Sequence, residues 1–103
     1  MSKDKKQFLK SYLLQQSKID RLNEMIDINP KKKDLYLQQI AECEAVRSEI
    51  EEKISLIDDE LLKELLIQKY IFGKTLEEIG LILNYSKRHA ERLHIRALKN
   101  LKI

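Results

Sequence analysis

The stretch from Thr75 to Leu101, TLEEIGLILNYSKRHAERLHIRALKNL, decides the reading of this chain. Thr75 opens a helix and Glu78 follows three residues on, the pattern of a capping box in which two orphan backbone donors are satisfied reciprocally. Ile79 and Leu83 lie one turn apart on one face. Gly80 falls between them, where the lack of a side chain lets a second helix cross closely. Asn84 tolerates the left-handed conformation that ends helices. Tyr85 is apolar enough to pack under the turn, and Ser86 is a good N-cap for the next helix. Ala90 and Leu93 supply the buried side of that helix. Lys87, Arg88, His89, Glu91 and Arg92 are left outside, near its N-terminus. A small residue, then a left-handed-tolerant residue, then a buried residue set two helices at a steep angle. This is the spacing of a helix-turn-helix, whose second helix presents its leading residues to the major groove. The plain alternative is a helical hairpin whose charges are merely solvated.

The segment Leu61 to Leu101 resembles region four of bacterial sigma factors. The residues that carry the likeness are Leu65, Tyr70, Gly73, Thr75, Leu76, Glu77, Glu78, Ile79, Leu83, Ser86, Arg96, Ala97, Leu98 and Leu101. That family runs helix, glycine turn, LEEIA, short turn, S-R-x-x-V and ALxxL; here the run is LEEIG, NYSKRHA and RALKNL. Gly80 stands for the usual Ala and Asn84 for the usual Gly, and both swaps keep the steric role. The match covers about two-fifths of the chain. Nothing resembles the sigma segment that opens promoters at the −10 element. A short chain with an N-terminal helical arm before such a domain is similar to phage transcription regulators of the ArpU and RinA type. That resemblance implies control of late or packaging genes in phages and prophages of Gram-positive hosts, with RNA polymerase as a possible partner.

Composition agrees with helices. There are two glycines and one proline in 103 residues, which leaves little material for long loops or turn-rich sheets. Charged residues make up 36%, so the core is thin for the length. The net charge of +3 is unevenly spread. Residues 1–73 hold 13 Lys/Arg and 14 Asp/Glu, whereas residues 74–103 hold 7 and 3. The positive excess thus sits on the expected DNA reader, where counterion release from phosphates would reward it. The lone cysteine, Cys43, permits no disulfide framework and falls on an apolar seam as a small hydrophobe. No signal peptide or membrane span is legible, and a cytoplasmic location is expected, with no membrane partner.

An all-α architecture is expected, with an N-terminal helical arm over 1–57 and a helix-turn-helix domain over 58–103. The first helix runs from about Lys3 to Asp27, with Phe8, Tyr12, Gln15, Ile19, Leu22 and Ile26 in heptad spacing. Pro30 breaks it, and Asn29 before the proline is pushed out of the α region. The second helix runs from about Lys32 to Leu56 and carries Tyr36, Ile40, Cys43, Arg47, Ile50, Ile54 and Ile57 on one seam. The two seams can pair within one chain as a hairpin, or between chains as a dimeric coiled coil. Gln15 and Arg47 are polar guests that either fix register or sit at the seam edge with packed stems. Asp58 is placed to cap a third helix, which carries Leu61, Leu62, Leu65, Leu66, Tyr70 and Ile71 and ends at Gly73.

The residues with chemical potential point away from catalysis. His89 and His94 are five apart and do not share a helix face as a metal pair would. His94 is expected to meet solvent or a neighbour. The acids lie on solvent-facing surfaces, and there is no glycine-rich phosphate loop. No enzyme activity, cofactor or metal is expected. By resemblance to sigma region four, Lys87, Arg88, Glu91 and Arg92 are base-reading positions, and His89 can touch a phosphate or base. Arginine can bridge guanine O6 and N7, and glutamate can accept from cytosine N4. Arg96 and Lys99 come later and suit phosphates, with an internal structural role open for Arg96. Ser86, Thr75 and Lys74 flank helix N-termini, which attract anions. The leading expectation is a transcription regulator that binds double-stranded DNA, as a homodimer through the N-terminal helices. The alternatives are a small terminase subunit, which would form a ring of many copies, and a module that docks on RNA polymerase or a sigma partner without binding DNA.

Overall fold

A computed structural model describes residues 4–103, and these fold as five α-helices with no strand among them. Helix α1 spans Lys5–Ile28, α2 Lys33–Ser55, α3 Glu60–Leu66, α4 Leu76–Leu83 and α5 Lys87–Asn100. Asp4 caps α1 through its carboxylate, which accepts from the amides of Lys6 and Gln7. A single 3₁₀ turn, Pro30–Lys32, reverses the chain between α1 and α2.

The two long helices pack antiparallel within the chain. Phe8, Tyr12, Gln15, Ile19 and Leu22 of α1 are buried, as are Tyr36, Ile40, Cys43, Ile50 and Ile54 of α2. The Tyr12 hydroxyl donates to Glu51 at 2.6 Å, and Arg47 donates to Gln16. Both polar guests find a local partner, although the buried Arg47 Nε has none. Gln15 reaches Ser11 at 3.1 Å, and the Arg47 guanidinium lies half-buried near the Tyr12 ring and Glu44. Ile26, placed on the seam by spacing, is only half-buried and packs against Ile19, Leu22, Tyr36, Ile40 and Cys43 as a group.

Two differences from the sequence reading concern α3. Its N-cap is Asp59, not Asp58; the Asp59 carboxylate accepts from Leu61 and Leu62 at 2.9 and 3.1 Å. The helix also does not run regularly to Gly73. It widens into a π-turn over Ile67–Ile71, in which the Phe72 amide reaches back to the Ile67 carbonyl. Such widenings insert a residue into the helical register and re-aim the side chains around it. Tyr70 lies in this turn, buried, and its hydroxyl meets His94 Nε2 at 2.7 Å. Gly73 then turns the chain with φ +74°, a conformation that favours glycine.

One hydrophobic core runs through the expected boundary at residues 57/58. Leu9 and Tyr12 of α1, Ile50 and Ile54 of α2, Leu62, Leu65 and Leu66 of α3, Ile79 of α4, and Leu93, Ala97 and Leu101 at the C-terminus all belong to it. The Lys5 ammonium donates to the Leu98 carbonyl at 2.9 Å, which places a cation at the negative end of α5. A smaller cluster of Ile19, Leu22, Tyr36, Ile40 and Cys43 fills the far end of the α1–α2 pair.

Burial pushes the His94 imidazole down to about 4, and the Lys69 and Lys6 ammonium groups add to the effect. The folded value is below the ordinary 6.5, so the unfolded chain binds more protons between these values. The associated stability is fully present above pH 6.5 and is lost as pH falls toward 4. We expect about 2 kcal/mol of extra acid destabilisation in the natural chain relative to His94→Gln. Urea midpoints at pH 7 and pH 4.5 measure it; equal pH dependence in both proteins would contradict the assignment.

Candidate nucleic-acid interface

The interface is built from how α4 and α5 are joined. Thr75 and Glu78 form the capping box that the spacing predicts: Glu78 N–H donates to Thr75 Oγ1 at 3.1 Å, and Thr75 N–H donates to Glu78 Oε1 at 2.9 Å. The bond from the Thr75 amide is the main cause holding the Glu78 carboxyl below its usual range. Asn84 adopts the left-handed conformation, φ 66° and ψ 40°, and ends α4. The amides of Asn84 and Tyr85 both donate to the Gly80 carbonyl. Ser86 caps α5 by accepting from His89 N–H at 3.1 Å.

Gly80 does its work against a different neighbour from the one the sequence suggested. A Cβ there would stand 2.7 Å from the Tyr85 carbonyl oxygen and 3.4 Å from Ser86 backbone atoms. The close approach is thus to the turn itself rather than to the body of the second helix, and it leaves no room for the alanine of the sigma-like pattern, so that exchange does not keep the steric role expected of it. Tyr85 differs as well. It is exposed, with its ring 4.6 Å from that of His89, rather than packed under the turn. The two rings meet at a tilt of 54°.

Helix α5 is anchored on one side and open on the other. Ala90, Leu93, His94 and Ala97 are buried, whereas Lys87, Arg88, Glu91 and Arg92 are exposed and His89 is half-buried. The exposed set occupies the first two turns and includes three of the four positions 87, 88, 91 and 92 as cations. Ser86 and Thr75 are exposed at the two helix starts, Lys74 is half-buried beside Thr75, and Arg96 and Lys99 are exposed further along α5. The structure therefore leaves all ten expected positions on or near the surface. His94, by contrast, is a core residue satisfied by Tyr70.

Sequence reasoning gave no place at this surface to two lysines. A cleft of 390 Å³ opens beside the start of α4, and Lys10 of α1 and Lys69 of the π-turn line it together with Lys74 and Lys87. Neither has a local signal; only the packing of α1 against the Gly73 turn brings them there. Among the described residues, no group of three or more His, Cys, Asp or Glu is placed to hold a metal, and no helix is long and apolar enough to cross a membrane.

No family model, curated protein or solved structure matches this chain.

Gly80→Ala forces the Tyr85 carbonyl away and moves the start of α5. Overpacking of this kind costs about 1–3 kcal/mol. Thermal unfolding should show a loss of this size; unchanged stability would mean that the turn relaxes freely and does not position α5.

Proposed function

We propose that this protein is a DNA-binding protein of the helix-turn-helix class. Helix α5 is the reader, and its leading turns enter the major groove. Within that class the reading we favour is a transcription regulator of phage or prophage genes, with the sigma-region-four-like unit as its DNA-binding domain. The observation that carries it is the exposed row Lys87, Arg88, Glu91 and Arg92 on a helix whose opposite face is fixed in the core. A recognition helix needs this combination, since base contacts require side chains that are free to reach and a backbone that is not.

The roles follow from side-chain chemistry. Arg88 and Arg92 are suited to guanine and Glu91 to cytosine. Lys87 completes the base-reading row, His89 meets a phosphate or a base, and Arg96, Lys99, Ser86, Thr75 and Lys74 suit phosphates. One such module makes few base contacts, so paired half-sites read by a homodimer fit the affinity that regulation needs. The heptad seam is filled within the chain, so a second copy would use the outer faces of α1 and α2, where Leu14, Leu35 and Leu37 are exposed. A contact with RNA polymerase is the second reading. It rests on Leu81 and Ile82, apolar and exposed at 80% and 52% on the outer side of α4.

On a duplex selected by the protein from a random pool, Arg88→Ala and Arg92→Ala should each weaken binding by about 1–3 kcal/mol, with the helical spectrum unchanged. Full affinity in both variants would remove α5 as the reader.

A further inference from the structure

We infer that the cleft between α1 and the start of α4 is a second DNA contact, a seat for the sugar-phosphate strand that borders the groove read by α5. The inference rests on the DNA-binding reading and adds to it a surface supplied by the N-terminal hairpin. Four lysines, Lys10, Lys69, Lys74 and Lys87, line the cleft, and no carboxylate does. They come from four separate parts of the chain: α1, the π-turn, the link before α4, and the first residue of α5. Bringing four like charges to one opening is unfavourable in the isolated protein. A polyanion removes that repulsion.

The walls select among polyanions. Leu13, Gly73 and Leu76 contribute apolar surface between the lysines. Leu13 Cδ1 packs within 3.3 Å of the position that a Gly73 Cβ would take, so α1 forms one wall in direct contact with the turn. A lining that mixes apolar surface with lysines matches a nucleic-acid strand, which alternates apolar deoxyribose with anionic phosphate. Lys87 belongs both to the cleft and to the leading turn of α5. The seat is therefore continuous with the proposed reading face, as a strand flanking the occupied groove requires. The hairpin is then not only a spacer or oligomerisation arm. Through Lys10 it holds DNA.

The test is a salt titration of the full-length chain on a fluorescein-labelled 30-base-pair duplex of mixed sequence. Each phosphate neutralised contributes about 0.9 to the log–log slope of affinity against salt. K10Q/K69Q should be shallower than the natural chain by about 2, with its preference among duplex sequences unchanged. The control K31Q/K32Q, in the exposed turn at the far end of the hairpin, should keep the natural slope. Lys10 is exposed, so K10Q alone carries the test if the double variant folds poorly, with a slope shallower by about 1. A natural slope in K10Q and K10Q/K69Q overturns the second contact and leaves the role of α5 standing. Absence of salt-dependent duplex binding by the natural chain overturns both.

Discussion

The backbone crossing at Gly80 is the constraint on which the presentation of α5 depends. The Tyr85 carbonyl lies so close to Gly80 that a methyl group there would be 2.7 Å away. Asn84 in its left-handed conformation makes the approach possible, and the Gly80 carbonyl receives the two amides that follow α4. The steric gap and the hydrogen bonds fix where Ser86 starts the next helix. Once that start is set, Ala90, Leu93 and Ala97 are buried in the core, and Lys87, Arg88, Glu91 and Arg92 are left exposed.

The rest of the chain acts as a brace for that crossing. Leu65 and Leu66 of α3 share a core with Ile79 of α4 and Leu93 of α5, and Tyr70 of the π-turn meets His94 of α5 as a buried polar pair. An unpaired imidazole or phenol there would leave a buried polar group unsatisfied, which is costly. The α1–α2 hairpin closes the other side. Its N-terminal end shares the core with α5, and Lys5 secures the Leu98 carbonyl at the end of that helix. A continuous core of this kind means that force on α5 is resisted by the whole molecule, not by one helical pair.

Much of this was legible in the residues. The capping box, the left-handed Asn84, the Ser86 cap and the two heptad seams are local or periodic, and local chemistry announces itself in sequence. What was not legible is tertiary. Spacing alone could not say whether the seams of α1 and α2 pair within or between chains, because either pairing buries the same residues. The π-turn at Ile67–Ile71 has no proline or glycine to announce it, and the Tyr70–His94 contact that accompanies it joins residues 24 apart in the chain. Asp58 and Asp59 are chemically equal as caps, and backbone geometry chose the second. Lys10 and Lys69 are ordinary helix-surface lysines until packing sets them beside Lys74 and Lys87.

The most direct test of the central claim is an amide NMR titration of the chain with a mixed-sequence duplex at low salt. The largest shifts are expected on residues 86–92, with a second group at the start of α4. Shifts confined to the Pro30–Lys32 end of the hairpin, or no shifts at all, would contradict it.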